Sequence, residues 1–247
     1  MSSLAPTPVR RVQRVRHELL VRDLEVVRVQ RLSPSFAAIT LQGDSLANFR
    51  SDSFDDHVKV FFDDADGEPA RRDYTPRRFD RERRELTLEF ALHGVGAASD
   101  WARQATVGQR LVVAGPRGSM VIPSDYAWHL LIGDASALPA VHRRLEELPP
   151  DAHALVVLLA SDAADRRSFT SAAQLTLHWA ASTDELLAAV AALQLSDAEG
   201  FAWAAGEASV MRRVRALLVE KGLPNEALKV AAYWKEGASD FHETLQA

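Results

Sequence analysis

Residues 72–77 (Arg-Asp-Tyr-Thr-Pro-Arg) bring together side chains that can hold a planar, phosphorylated ligand. An arginine guanidinium donates two parallel hydrogen bonds to a phosphate and stays charged. Tyr74 offers a flat face to a ring, and Thr75 offers a hydroxyl to a ring heteroatom. A flavin nucleotide has both a planar ring and a phosphate, so the stretch indicates a flavin site. The alternative is an exposed, charged hairpin with a tyrosine at its edge.

The composition argues against several other kinds of chemistry. The 247 residues include no cysteine, which removes disulfides, thiol chemistry and iron–sulfur ligation, and no two of the eight histidines have the spacing of metal ligands on a helix. We therefore predict no metal site. No apolar run is long enough for a membrane span or a signal peptide, so we expect a cytoplasmic protein.

The charge distribution suggests the kind of ligand. The net charge of −5 argues against nucleic-acid binding, but arginines outnumber acids between residues 10 and 31 and again between residues 71 and 84. Local basic surfaces on an acidic protein favour an anionic small molecule as the partner.

The first half of the chain predicts antiparallel strands. Residues 86–92 alternate large apolar side chains with smaller or polar ones, which is typical of a half-buried strand. In residues 57–62, Val58, Val60 and Phe62 share one face, and Lys59 lies on the other. Further strands are predicted at 25–31, 36–41 and 109–114. Short strands at this spacing indicate a small barrel.

After about residue 123, predicted strands alternate with helices, which indicates a doubly wound parallel sheet. The strands are predicted at 129–132, 155–159, 175–179, 201–205 and 228–233. The helices are predicted to end at 148, to run over 184–193, and to run from 206 to 222. Ser136 is the expected cap of the first helix, and Thr183 or Asp184 that of the second. We predict two domains, residues 1–124 and 125–247.

Eight short motifs, taken in order, resemble those of the siderophore-interacting proteins, the flavin-containing ferric-siderophore reductases of the ferredoxin-NADP reductase superfamily. They lie at 57–59, 72–77, 90–94, 101–102, 115–118, 133–140, 205–207 and 233–237. The resemblance implies a six-stranded antiparallel FAD-binding barrel followed by an NAD(P)H-binding α/β domain. The chain departs from the family pattern at Ala97 and Ala98, where a proline is usual, and at Ala135, where glutamate is common.

The resemblance also implies which residues bind FAD. Tyr74 would stack on the isoalloxazine and Thr75 would hydrogen-bond near its reactive nitrogen, and these two are the expected catalytic residues. Arg72 and Arg77 would hold the phosphates and the ribityl chain. The expected FAD-binding set is Arg72, Tyr74, Thr75, Arg77, His93, Gly94 and Ser99. For His93 a structural role is an equal alternative.

A second set of residues would bind the nicotinamide dinucleotide. It comprises Gly133, Asp134, Ser136, Ala137, Gly206 and Glu207, and it rests on the resemblance because the chain has no GxGxxG motif. Tyr233 and Trp234 would close over the flavin or the nicotinamide, or else pack at the end of the last strand. Acids and arginines both occur in residues 162–167, so the choice between NADH and NADPH stays open. Ferredoxin as the electron donor is also open.

The implied function is FAD-dependent reduction of ferric iron in a siderophore. Ferric iron is held by hard oxygen ligands, and reduction weakens that attachment. Lys59, Arg117 and Lys235 would hold the anionic chelate, unless they are ordinary solvated charges. The alternatives are a flavin oxidoreductase with another acceptor, or a protein that binds FAD or a ferric chelate without turnover. We expect a monomer.

Overall fold

The computed structural model describes residues 11–62, 70–92, 96–238 and 243–245. The elements up to residue 121 are mostly strands. They are β1 (Gln13–Arg16), β2 (Val21–Ser33), β3 (Phe36–Gln42), β4 (Val58–Phe62), β5 (Ala70–Tyr74), β6 (Arg78–Asp80), β7 (Glu85–Ala91), α1 (Ala97–Gln104), β8 (Arg110–Ala114) and β9 (Gly118–Val121).

Seven of these strands form one curled antiparallel sheet in the order β5-β4-β8-β2-β3-β7-β6. We call this sheet with α1 the antiparallel lobe. Its inner face carries the alternating apolar side chains predicted for β7, and Leu86, Leu88 and Phe90 are fully buried. The sheet has seven strands where six were predicted. One strand, β6, has only three residues, too few for a periodic pattern. Strands β1 and β9 pair separately.

The elements after residue 127 alternate between strands and helices. They are β10 (Trp128–Gly133), α2 (Leu138–Glu147), β11 (His153–Leu159), β12 (Gln174–Ala180), α3 (Thr183–Ala192), β13 (Gly200–Glu207), α4 (Ala208–Glu220), β14 (Leu228–Trp234) and β15 (Glu243–Thr244). The strand order is β12-β11-β10-β13-β14-β15, with β15 the antiparallel edge. We call this sheet with α2, α3 and α4 the parallel lobe. Its architecture confirms the predicted fold class.

The helix caps differ in detail from those predicted. The side chain of Ser182 accepts a hydrogen bond from the Glu185 amide and caps α3, so neither Thr183 nor Asp184 is the cap. Before α2, the carboxylate of Asp134 accepts from the Ser136 amide and caps a single 3-10 turn over residues 135–137. Ser136 is therefore capped and does not cap α2. Pro139 lies in the first turn of α2, as expected.

The two lobes share part of one hydrophobic core. Phe36 and Phe54, from the antiparallel half of the chain, are buried among side chains of α2 and the parallel sheet. The ring of Phe54 packs edge-on against Trp203 of β13, with centroids 5.3 Å apart. The predicted domain boundary falls in the link between β9 and β10, and this packing holds the lobes together on either side of it. Among the residues that the structure describes, no helix has the length and apolar composition of a membrane span.

Candidate functional site

Tyr74 ends β5, the edge strand of the antiparallel sheet. Its ring packs on Phe90, with centroids 4.3 Å apart, and lies near Phe62. Burial raises the pKa of the Tyr74 hydroxyl far above its ordinary value, against an opposing effect of Arg72. The hydroxyl is therefore protonated and neutral at physiological pH. Thr75 follows directly and is only 7% exposed.

The two arginines of the motif have different surroundings. Arg72 is half-buried, and its guanidinium donates to the Arg71 carbonyl at 2.7 Å. None of the described residues supplies a carboxylate to it. Arg77 is 6% exposed and donates to both carboxylate oxygens of Glu146 in α2, each at 2.8 Å. The fork of Arg77, expected to bind a cofactor phosphate, thus already has a carboxylate partner, whereas Arg72 keeps donors for a phosphate.

Helix α1 packs beside this motif, because it contacts β4, β5 and β7. Gly96 precedes the helix with φ 146°, and Ala97 and Ala98 begin it. Ser99 lies in the first turn, where the helix dipole favours an anion. The remaining expected FAD residues, His93 and Gly94, lie outside the described residues.

Asp134 joins three strand ends at the carboxyl edge of the parallel sheet. Its Oδ1 accepts from the Ser136 amide at 2.9 Å. Its Oδ2 accepts from the Glu207 amide at 2.8 Å and from the Trp234 indole Nε1 at 2.9 Å. The carboxylate is 8% exposed and fully engaged. Asp134 therefore shapes this edge through hydrogen bonds within the protein, a role that sequence reasoning did not assign to it.

Glycines allow the backbone to close tightly around Asp134. A Cβ on Gly133 would overlap the Ala137 side chain and lie 2.7 Å from the Ala205 carbonyl oxygen. A Cβ on Gly206 would lie 2.6 Å from Oδ2 of Asp134. Ala137 is fully buried and Ser136 is exposed. Within the turn that is predicted to contact the dinucleotide, the side chain of Ser136 is thus exposed to solvent.

Glu207 caps α4 by accepting hydrogen bonds from the amides of Ser209 and Val210. Burial by itself would raise its pKa, but these hydrogen bonds outweigh burial and the pKa of Glu207 is lowered. Glu207 is therefore ionised, and its carboxylate is hydrogen-bonded to the first amides of its own helix. Glu207 is the last residue of β13 and thus lies at the same carboxyl edge of the parallel sheet as Asp134.

Tyr233 and Trp234 end β14 beside this edge. Burial raises the pKa of the Tyr233 hydroxyl well above its ordinary value, so that group is neutral. Its ring lies edge-on to Trp203, with centroids 6.2 Å apart. Trp234 is 44% exposed although Asp134 holds its indole nitrogen. A large aromatic surface is thus presented to solvent in a defined orientation.

The three expected chelate-binding residues differ in position. Lys59 pairs with Asp73 at 2.9 Å, a partner that the sequence analysis missed. The strand register places Lys59 and Asp73 on the face of the sheet opposite Tyr74. Arg117 is exposed in the β8–β9 turn, and Lys59 is in register with Ala114 at the end of β8. Lys235 is exposed and directly follows β14 in the parallel lobe.

The acids and arginines that follow β11 are now distinguished by their contacts. Asp165 accepts from the Ser33 hydroxyl at 2.6 Å, and Asp162 caps residues 163–165. Arg167 pairs with Glu89 and lies over the Phe36 ring. Arg166 is exposed, and its side chain has no partner among the described residues. Position alone in the sequence could not separate these neighbouring charges.

The residues present fit both cofactors that the fold implies. Arg72 and the α1 N-terminus supply donors suited to phosphates, beside the neutral ring of Tyr74. Across the lobe junction, the compact turn at residues 133–137 and the exposed indole of Trp234 suit a dinucleotide with a planar end. The donor sets on both lobes are thus suited to phosphorylated, planar ligands.

Comparison with known proteins agrees with this geometry. The family model described as Siderophore-interacting protein matches residues 126–237, and the model described as Siderophore-interacting FAD-binding domain matches residues 25–70 and 63–120. The NADPH-dependent ferric-chelate reductase of Escherichia coli (strain K12) is 36% identical over 90% of this chain and 96% of that protein.

Two further relatives extend the agreement. The ferric vibriobactin reductase ViuB of Vibrio cholerae serotype O1 is 30% identical over 90% of this chain and 93% of its own. The crystal structure of a siderophore utilization protein from T. fusca superposes with a TM-score of 0.85 at 36% identity, covering 93% of this chain and 98% of that chain. Similarity that runs through both lobes confirms the resemblance seen in the motifs, and the chain belongs to the siderophore-interacting protein family.

Proposed function

We propose that this protein is an FAD-dependent reductase that converts ferric iron in a siderophore chelate to ferrous iron, with electrons from NADPH. The observation that carries the proposal is the pairing of a flavin-type motif, Arg72 to Thr75, with the Asp134 edge of the parallel sheet in a single molecule. The names of the relatives in Escherichia coli and Vibrio cholerae support the same activity.

The residues of the antiparallel lobe hold and orient FAD. Bound FAD supplies a route by which an electron pair from NADPH can leave as single electrons for ferric iron. Arg72 and the amides at the start of α1 bind its phosphates, and Ser99 lies among those amides. The ring of Tyr74 contacts the flavin, and Thr75 donates a hydrogen bond to it. Both side chains are neutral, so they position the ring without adding charge.

The residues of the parallel lobe bind NADPH. The turn from Gly133 to Ala137 and the start of α4 at Gly206 and Glu207 form the wall of the site. Arg166 binds the 2′-phosphate, because Asp165 and Arg167 already have partners in the antiparallel lobe. Trp234, held by Asp134, covers the junction where the two planar rings meet.

The substrate is an anionic ferric chelate, and basic side chains attract it. Lys59 and Arg117 lie at one end of β4 and β8, and Lys235 adds a charge from the parallel lobe. The iron stays with the oxygen ligands of the chelate, so the protein need not ligate it. We place the reaction in the cytoplasm and in a monomer, and ferredoxin remains a second candidate donor.

Anaerobic spectroscopy tests this function. The purified protein should show flavin bands that bleach with NADPH, and a ferric chelate added with a ferrous trap should restore them as trapped ferrous iron accumulates. Bands that never bleach with either nucleotide would contradict NADPH as the donor. Bleached bands that a panel of ferric chelates does not restore would point to another acceptor.

A further inference from the structure

Helix α2 touches both binding sites of the proposed function, one with each end. Its first turn follows the Gly133–Ala137 segment, in which Asp134 accepts from the Ser136 amide at 2.9 Å. Its last two turns face the antiparallel lobe. At about 1.5 Å rise per residue, Pro139 and Glu146 lie about 10 Å apart along the helix axis. The ten residues of α2 thus span the distance between the two segments within one hydrogen-bonded element.

The last turns of α2 hold the backbone and the second arginine of the flavin motif. The guanidinium of Arg143 donates to the Pro76 carbonyl at 3.1 Å and to the Ser51 carbonyl at 2.9 Å. One turn later, Glu146 accepts the bidentate fork of Arg77. Pro76 and Arg77 directly follow Thr75, so α2 contacts the motif immediately after its flavin-facing residues.

The arginine partners in these contacts are buried, whereas Glu146 reaches them from the exposed side of α2. Arg77 and Arg143 are both buried, and Glu89 lies 3.4 Å from Nε of Arg77 on the far side of the guanidinium. Nε of Arg77 is buried and has no hydrogen-bond partner among the described residues. The fork of Arg77 on Glu146 is bidentate and charge-assisted, and such hydrogen bonds are stronger and more directional than neutral ones.

We propose that α2 is a strut that couples nucleotide binding to flavin binding, with Arg143 and Glu146 as positioning residues that transmit the coupling. The inference rests on the proposed function, because it assigns the two sites to NADPH and FAD. A ligand at either end restrains α2 relative to residues 75–77, so the second ligand orders less of the protein when it binds. The two binding equilibria are therefore linked, and each ligand tightens the other by the same factor.

Fluorescence titration measures this linkage without turnover. FAD binding to the apoprotein quenches flavin fluorescence, and the titration is done with and without saturating NADP⁺. For the wild-type protein we expect FAD to bind at least about fivefold more tightly when NADP⁺ is present, the lower range of usual couplings between sites. In Glu146→Gln and in Arg143→Lys the ratio should approach one, because each variant weakens a contact between α2 and the motif.

Glu220→Gln is the matched control, since it neutralises an exposed glutamate at the end of α4, far along the chain from the motif. It should keep the wild-type ratio. Circular dichroism and urea unfolding establish that each variant is folded, and the two α2 variants break different contacts, so either one tests the strut.

Two outcomes overturn the strut while leaving the proposed function intact. One is a wild-type protein that binds both ligands with no linkage. The other is full linkage in either of the folded α2 variants. A protein that binds neither FAD nor NADP⁺ would contradict the proposed function, and the strut with it.

Discussion

At the scale of single residues, contacts decide which charges are available to a ligand. Arg72 and Arg77 are five positions apart and chemically identical, yet Arg77 is buried against Glu146 whereas Arg72 has no carboxylate among the described residues. The same holds for Arg166 and Arg167, of which only Arg167 pairs with Glu89. An arginine without an acidic partner can exchange water for a phosphate at lower cost.

Arg72→Gln should weaken FAD binding by about ten- to a hundredfold, because one charge-assisted phosphate contact contributes about 1.5–3 kcal/mol. Reconstitution of the apoprotein with FAD, followed by fluorescence, measures the dissociation constant. Arg71→Gln is the matched control, since Arg71 is exposed on the other face of β5 and should bind FAD as the wild type does. Unchanged FAD affinity in Arg72→Gln would remove this residue from the site.

Arg166→Ser should raise KM for NADPH by about tenfold or more and leave KM for NADH nearly unchanged. The physical reason is that NADH lacks the 2′-phosphate that the guanidinium is proposed to bind. Steady-state reduction of a ferric chelate with each nucleotide measures the two constants, and NADH is the internal control. An equal change in KM for both nucleotides would show that Arg166 does not bind the 2′-phosphate.

At the scale of elements, strand ends and helix starts are joined by a few polar side chains. The sequence analysis recovered most strands and helices of both lobes, because their apolar periodicity is local. It did not predict β1, β5, β6, β9 or β15, each of which has five residues or fewer and is too short to show a clear period. It also missed the caps of α2 and α3, where several neighbouring residues can each accept an amide hydrogen bond. Asp134 is the clearest case, since it follows β10 and its partners come from the next turn, from β13 and from β14.

Asp134→Asn should destabilise the protein by about 1–3 kcal/mol, because a buried amide cannot accept all the hydrogen bonds that the carboxylate accepts. Urea unfolding followed by circular dichroism measures the free energy of unfolding. Trp234→Phe removes only one of these bonds and should cost less, about 0.5–1.5 kcal/mol. If the tryptophan variant is the less stable of the two, Asp134 is not the organising residue of this edge.

At the scale of the whole molecule, buried polar groups and a shared core hold the lobes in register. His129 in β10 is one of these buried polar groups, and its contacts lie in the parallel lobe and in the link that precedes it. Its Nε2 donates to the Ser124 carbonyl, and the guanidinium of Arg144 faces its Nδ1. Burial first, and then Arg144, lowers the pKa of His129 to about 4 from an ordinary value of 6.5. The folded protein therefore requires the neutral form of this ring.

The stability of the protein should fall as pH drops from about 6.5 towards 4, because the unfolded chain takes up a proton at His129 that the folded protein excludes. At about pH 5 the loss attributable to one such histidine is on the order of 1–2 kcal/mol. Urea unfolding at about pH 7 and pH 5 measures the loss.

The variant His129→Gln keeps a donor for Ser124 and should lose less stability over the same interval. His142, whose pKa burial also lowers to about 4, accounts for part of the remainder. An identical pH dependence in the variant and the wild type would assign the effect to other groups.

The sequence by itself determined the class of fold, the order of the two lobes and the family, because periodicity, turn residues and short motifs are local properties of the chain. The same local information singled out residues 72–77, 133–137 and 233–234 as expected site segments, and their roles stay predictions. Only the tertiary structure decided which arginines are paired, that Asp134 joins three strand ends, and that side chains of α2 hydrogen-bond to the flavin motif. Those contacts join residues far apart in the chain, and burial and distance in the folded molecule select among chemically equivalent side chains.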